Sequence, residues 1–291
     1  MAQDNSNDAK SPRVWLITGC SSGFGRAIAE AALAHGDRVL ATARDPADLD
    51  DLRQNAGDAA DRLDTCRLDV TSADQCIAAV EYAAERFGRL DVLVNNAGYG
   101  LLGGLEELND DEIEQQFAVN FFGALRLMRK ALHHWRTREA PGHIVNMGAV
   151  ASWDHEMGFA IYGASKAALE TAGGAVAREA RPLGVKVTTV IPGPFRTGFI
   201  GKGMSNVHGR IDAYAKTVGK FAQTLRNMDG KQPGDPALAA EVILQAVEAE
   251  NPPARLVVGK YAHDKLPKVL DAVRKDLDAW REAAEPVGVK S

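Results

Sequence analysis

Seven short apolar segments alternating with helical segments predict an α/β fold: a single doubly wound parallel sheet with helices on both faces. Three observations carry the prediction. The alternation runs through nearly the whole chain, a glycine-rich turn joins the first apolar run to the first helix, and neither a linker nor an internal repeat divides the sequence. The chain is therefore read as a polar tail over residues 1–12 and one domain over residues 13–291.

The elements run in order along the chain. Val14 to Thr18 (VWLIT) reads as a strand buried on both faces; the turn Gly19 to Gly25 comes next, then a helix over Arg26 to His35 stopped by Gly36. Arg38 to Ala43 is the second strand, ended by Arg44-Asp45-Pro46, and Ala47 to Asn55 patterns as helix. Thr65 to Val70 is the third strand, Ser72 to Phe87 a helix, and Leu90 to Asn95 the fourth strand. One long helix is expected from about Asp110 to Arg138, with nothing stronger than Gly123 to interrupt it. Ile144 to Met147 is the fifth strand, Ala160 to Arg181 its helix, and Lys186 to Ile191 the sixth strand, stopped by Pro192-Gly193-Pro194. Gly198 to Gly234 loses the rhythm and carries no strand signal, as a binding loop or lid would. A helix at Pro236 to Ala249, a strand at Arg255 to Val258 and an amphipathic helix at Asp264 to Ala284 complete the set.

Composition narrows the function. Of 291 residues, 45% are hydrophobic and 25% charged, enough apolar material for a core. A net charge of −5 without a basic cluster argues against a nucleic-acid surface. No run of about 18 apolar residues suggests a membrane span. The polar N-terminus lacks the apolar segment of a leader, so a cytoplasmic location is expected. Cys20, Cys66 and Cys76 lack metal-ligand spacing and read as reduced thiols, so no metal site is expected.

Doubly wound sheets bind ligands outside the carboxyl ends of their strands, and the distinctive residues cluster there. Thr18-Gly19-Cys20-Ser21-Ser22-Gly23-Phe24-Gly25 lies between the first strand and first helix. Its glycines allow positive φ and close approach of backbone N–H groups to a phosphate. At the end of the second strand an acid would bind a ribose 2′-hydroxyl, whereas an arginine pairs with a 2′-phosphate. Arg44 there favours NADP(H) over NAD(H), with Asp45 the competing acid; alternatively Arg44 is a solvated strand-end charge. Asp69 and Val70 could meet an adenine edge, although an Asp at a strand end is often just the cap of the next turn or helix. Asn95-Asn96-Ala97-Gly98 combines two amides with a glycine at the same edge. Tyr162 and Lys166, four residues apart, fall on one helical face, where an ammonium beside a phenol would lower the phenol pKa.

In combination, TGxxxGxG at 18–25, NNAG at 95–98, YxxxK at 162–166 and the Pro-Gly step at 192–193 resemble the short-chain dehydrogenase/reductase family over about Val14 to Val258. The resemblance implies a Rossmann-type fold, a nicotinamide cofactor and hydride exchange between carbinol and carbonyl in a small molecule. It implies Tyr162 as proton donor or base, and Lys166 as its electrostatic partner and a ligand of the nicotinamide ribose. Asn120 matches the family asparagine that anchors a water in the proton relay. Gly19, Ser21, Ser22, Gly23, Phe24, Gly25, Arg44, Asp69, Val70, Asn96, Ala97, Gly98, Pro192, Gly193 and Thr197 would border the cofactor. A homo-oligomer paired through the helices at Asp110–Arg138 and Ala160–Arg181 is a further expectation of the resemblance.

One position departs. The family serine that polarises the substrate carbonyl lies thirteen residues before the tyrosine, and Ala149 stands there, after Gly148. Loss of one preorganised donor costs on the order of 10²–10³ in rate. Three readings are open: a deliberate substitution; compensation by Ser152, Asp154 or His155; or a substrate that does not need the donor, such as an iminium or an activated enone. A lyase or isomerase using the Tyr162–Lys166 pair without net redox, and an impaired cofactor-binding protein, are the rival functions. Asp154, His155 and Glu156 are expected either to contact a polar or cationic substrate or to face solvent. Tyr99, Leu101, Leu102, Phe195, Phe199 and Met204 are expected as apolar pocket walls, which suits a partly apolar substrate.

Overall fold

All four residues of the first strand are fully buried, as a strand covered on both faces requires. The computed structural model describes residues 11–206 and 209–289, so the tail expected over residues 1–12 lies almost wholly outside the described residues. In chain order the elements are β1 (Val14–Ile17), α1 (Gly23–Ala34), β2 (Arg38–Ala43), α2 (Asp50–Gln54), β3 (Leu63–Arg67), α3 (Ala73–Phe87), β4 (Val92–Asn95) and β5 (Gly100–Leu102). Then come α4 (Asp110–Phe117), α5 (Ala124–Arg138), β6 (His143–Met147), α6 (Ala151–Asp154), α7 (Ala160–Glu179) and β7 (Lys186–Pro192). The chain finishes with β8 (Met204–Asn206), α8 (Lys220–Met228), α9 (Pro236–Glu248), β9 (Arg255–Val258) and α10 (Lys260–Ala284).

Seven strands form one parallel sheet in the order β3-β2-β1-β4-β6-β7-β9, the doubly wound architecture the alternation predicts. β1 pairs with both β2 and β4, so the winding direction reverses between them. Ile17 stands in register with Ala41 on one side and Val94 on the other. The glycine turn, Arg44 and Asn95–Gly98 therefore emerge side by side at the reversal, where such sheets open a crevice.

Successive strand side chains point to opposite faces, and β1 divides its residues accordingly. Trp15 and Ile17 join the core under α1 and α9, whereas Val14 and Leu16 join the core under α3, α5 and α7. Two indoles anchor these layers through their N–H groups: Trp15 Nε1 donates to Asp37 Oδ2 (2.7 Å) and Trp135 Nε1 to the Leu90 carbonyl (2.7 Å). A side chain at Gly142 would collide with the Trp135 ring.

Four expectations need correction. The third strand is Leu63–Arg67 rather than Thr65–Val70, because β2 pairs in register from Val39↔Leu63 to Ala43↔Arg67 and the chain then turns. The long helix is interrupted after Phe117 by a π-helical stretch, Ala118–Gly123, which carries Asn120. Gly123 ends that stretch against Val70, where a Cβ would approach the Val70 side chain to 2.7 Å. The region 198–234 holds a strand after all: β8 pairs in parallel with β5, and α8 comes after it. The last helix begins at Lys260, four residues before its expected start.

His143, at the start of β6, is 5% exposed and lies 3.0 Å through Nε2 from Thr188 Oγ1. Burial, with Lys186 and Arg13 nearby, pushes its imidazole down from 6.5 to about 4. Between those values the unfolded chain binds a proton that the folded chain does not, so stability falls as pH drops from 6.5 towards 4. The loss is about 3 kcal/mol across that window. Denaturant unfolding of wild type and His143→Gln over this range checks it; the variant should lose most of the slope, and an unchanged slope would count against His143 as its source.

Candidate active site

The glycine turn is held by two side chains from its own neighbourhood. Thr18 Oγ1 accepts from the backbone N–H groups of Asn96 (2.9 Å) and Ala97 (2.8 Å) and donates to the Val94 carbonyl (3.2 Å). Asn96 Nδ2 donates to the carbonyls of Thr18 (2.7 Å) and Gly19 (2.9 Å). Gly19 and Gly23 adopt φ of +71° and +61°, and a Cβ at Gly25 would overlap the Gly19 carbonyl and the Asn96 amide. Ser21 and Ser22 are exposed. Ser22 caps α1 without a side-chain hydrogen bond, leaving the first-turn N–H groups of Gly23, Phe24 and Gly25 directed at the crevice. Such a helix end, with its positive dipole, fits a pyrophosphate. Thr197 faces the turn, 3.2 Å from where a Cβ on Gly23 would sit.

At the neighbouring strand ends the candidates divide. Arg44 is exposed and makes no hydrogen bond or ion pair among the described residues. Asp45 is engaged: its Oδ1 accepts from Ala47 N (3.0 Å) and caps the next turn. Asp69 Oδ1 accepts from Thr71 Oγ1 (2.7 Å) and Thr71 N (2.9 Å). Those bonds, reinforced by Arg44 and Arg67, hold its carboxyl below the usual range. Val70 is buried beside Gly123, so only its backbone remains for a ligand.

Tyr162 and Lys166 lie on α7, 7% and 5% exposed. Lys166 Nζ donates to the Met147 carbonyl at the end of β6 (2.8 Å). Asn120 Oδ1 accepts from Tyr99 N (3.0 Å), while its Nδ2 donates to Tyr99 O (2.9 Å) and to Ser165 Oγ (3.2 Å). A Cβ placed on Gly98 would stand 3.0 Å from Asn120 Oδ1 and 3.3 Å from Lys166 Nζ, so these three residues meet at one point. Burial pushes the Lys166 ammonium down to about 8. Burial also pushes the Tyr162 phenol upward, and the Glu156 carboxylate adds to it. The expected lowering of the phenol by Lys166 is thus not the direction found.

Ala149 sits just beyond β6 in an apolar cluster with Leu102, Phe159, Tyr162 and Met204. The Phe199 ring lies 5.5 Å from the Tyr162 ring and packs on that cluster. Ser152 is engaged locally: its Oγ donates to the Ala149 carbonyl (2.7 Å), with Glu170 Oε2 3.4 Å away. Glu170 also accepts from Trp153 Nε1 (2.9 Å) and Arg255 Nε (2.6 Å). Neither expectation for the loop charges describes all three. Asp154 pairs with Lys265 (2.7 Å) and Glu156 accepts from the Tyr261 hydroxyl (2.7 Å), both on α10, while His155 alone is exposed.

Phe195 lies outside the apolar cluster around Tyr162. Its ring packs 5.0 Å from Phe24 in the core beneath α1 and α9. Pro192 and Gly193 are half-buried, the latter against Tyr261 of α10. Sequence reasoning passed over Thr18, Gln116 and Glu170. Thr18 opens the glycine motif itself, and Gln116 precedes Asn120 by four residues on the same helical face. Gln116 Nε2 donates to Tyr99 O (2.9 Å), adding a second amide to that carbonyl. For Glu170 the sequence offered no signal. The three cysteines are free thiols, raised by burial to about 12 for Cys20 and about 11 for Cys66 and Cys76. Among the described residues no cluster suits a metal, and no helix is long and apolar enough to cross a membrane.

Comparison with known proteins agrees with this geometry. The family model described as short chain dehydrogenase matches residues 13–206. Oxidoreductase BOA17 of Botryotinia fuckeliana is 34% identical over 270 residues, covering 93% of this chain and 97% of that protein. The 3-ketodihydrosphingosine reductase of Bacteroides thetaiotaomicron is 33% identical over 254 residues, covering 85% and 88% respectively. The crystal structure of a short-chain dehydrogenase from Streptomyces avermitilis superposes with a TM-score of 0.88 at 41% identity, over 96% of this chain and 100% of that one. The glycine turn at the sheet reversal, the buried Tyr162–Lys166 face and these matches lead to one conclusion: the chain belongs to the short-chain dehydrogenase/reductase family of oxidoreductases.

Proposed function

We propose that the protein is an NADP(H)-dependent reductase acting on a carbonyl, or a related C=N or C=C group, of a small and partly apolar molecule. The observation that carries this reading is the meeting of Asn120, Lys166 and Gly98 beside buried Tyr162, at the same sheet edge as the glycine turn. The turn, Thr197 and the first-turn N–H groups of α1 would hold the dinucleotide, and a bound nicotinamide supplies or takes the hydride. Arg44 would receive the 2′-phosphate; its exposed guanidinium and the engagement of Asp45 by Ala47 N both support NADP(H) over NAD(H). Asp69 and the Val70 backbone would border the adenine.

Tyr162 carries the transferred proton, and its neutral phenol suits donation to a developing alkoxide. Lys166 places positive charge beside that proton and, once released from the Met147 carbonyl, can reach a ribose hydroxyl. Asn120 keeps the π-helical stretch in place against Tyr99 and Ser165, where a proton-relay water would be held. Leu102, Phe159, Phe199 and Met204 supply apolar walls, and Ala149 offers a methyl where a carbonyl would seek a donor. That lining favours an acceptor already polarised, such as an iminium or an enone, over a simple ketone. The Bacteroides relative, named as a reductase of 3-ketodihydrosphingosine, is consistent with a reductive role.

Ala149→Ser is expected to raise reduction of simple ketones by on the order of 10²-fold, measured as NADPH oxidation against ketones, imines and enones. Rapid ketone reduction by the parent, with no gain in the variant, sinks the emphasis on this position. Arg44→Ala should weaken NADPH binding by about 10-fold or more while leaving NADH nearly unchanged, since a charge-assisted pair is worth roughly 1.5–3 kcal/mol. Titration calorimetry with both cofactors decides it, and tighter NADH binding in the parent removes the NADP assignment. The Lys166 ammonium, pushed down to about 8, is charged below that pH and neutral above it, so kcat/KM for reduction should fall as pH rises through about 8. Lys166→Arg, which keeps its charge, should lose that limb.

A further inference from the structure

The last helix leaves the body of the protein carrying an apolar stripe that nothing among the described residues covers. α10 is rooted by Ala262 and Leu266, which pack with Val150 and Ile191. From Leu270 to the end of the helix every residue is exposed. Leu270, Val273, Leu277 and Trp280 are 52%, 52%, 65% and 70% exposed. Their spacing from Leu266 alternates four and three residues, the 3.5-residue period of a coiled-coil seam rather than the wider face of a helix packed on a globular core. A free helical segment of about 15 residues is marginal in water without tertiary packing.

Charge selects among possible occupants. Residues 268–285 carry four basic and five acidic side chains, without the basic excess that draws a helix to an anionic lipid surface. With Leu270 and Leu277 at a and Val273 and Trp280 at d, Asp276 falls at g and Arg281 at the following e. Those positions face each other across a parallel two-stranded coil. An antiparallel pairing would instead set e against e, bringing Arg274 towards Arg281. Among the described residues of one chain Arg281 pairs only with Asp278, on the open surface (2.9 Å), and Asp276 has no ion-pair partner.

We infer that the free half of α10 binds the same segment of a second copy of this chain, as a parallel two-stranded coil with reciprocal Asp276–Arg281 pairs. The root of α10 also carries Lys265 and Tyr261, which hold Asp154 and Glu156 of the loop after Ala149, so the association is tethered to the wall of the candidate active site. The inference stands apart from the assigned reaction, and its test needs no turnover.

Sedimentation of the full chain reads it. Leu277→Asp should halve the mass of the assembly at micromolar concentration. Asp276→Arg and Arg281→Asp should each weaken self-association by about tenfold or more, because each places like charges on both flanks of the seam. An equimolar mixture of those two variants should recover the wild-type affinity, since every facing pair is then opposite in sign. Unchanged mass in Leu277→Asp, or a mixture no tighter than either single variant, overturns the proposal. So does flotation of the wild type, but not Leu277→Asp, with phosphatidylserine vesicles when the charge variants leave the mass unaltered, which assigns the face to lipid.

Discussion

The hydrogen bonds between Thr18 and the Asn96–Ala97 step are the fastening on which the rest of the crevice depends. A glycine turn has little conformational preference of its own, so its shape must be imposed from outside. Here one threonine hydroxyl and one asparagine amide bind the ends of β1 and β4 together at the reversal of the sheet. The same amide presses so closely on residue 25 that only a hydrogen fits. Asn96 therefore acts by shaping the surface a phosphate would meet, and its side chain is spent on the turn.

A second constraint operates on the other side of β4. The π-helical stretch between α4 and α5 displaces the helix where Asn120 must reach Tyr99, and the extra residue per turn turns its amide towards that strand end. Gln116 and Asn120 both bond the Tyr99 carbonyl, so the segment after Gly98 is fixed by two side chains from one helix. Lys166 closes the arrangement from α7. Three elements thus converge through buried polar contacts whose loss would leave unpaired groups in a low-dielectric setting.

The fold was legible because its signals are local and repeated: apolar runs bounded by turn residues, with a glycine turn in the one place a doubly wound sheet needs it. The candidate site was legible where a motif carries its own geometry, as for Tyr162 and Lys166 on one helical turn. What the sequence concealed depends on contacts distant along the chain. Nothing near Asp154 or Glu156 announces that α10, more than 100 residues later, supplies their partners. Phe195 looks like a pocket wall by composition, and only the Phe24 ring across the core reveals its inward packing. The π-helical interruption escaped because helical periodicity persists across it, and β8 because a three-residue strand is too short to show alternation.

The ties on the loop after Ala149 couple it to two helices at once. Residues 152–156 are fastened at Glu170, Lys265 and Tyr261, to three separate points on α7 and α10. β8 and α8 are held by a short strand pairing, an apolar cluster and, on the segment between them, bonds from Ile211 N to Glu107 Oε1 (2.8 Å) and from the Tyr214 hydroxyl to Glu106 Oε2 (2.7 Å). Any widening on the Ala149 side must break contacts to α7 and α10 together.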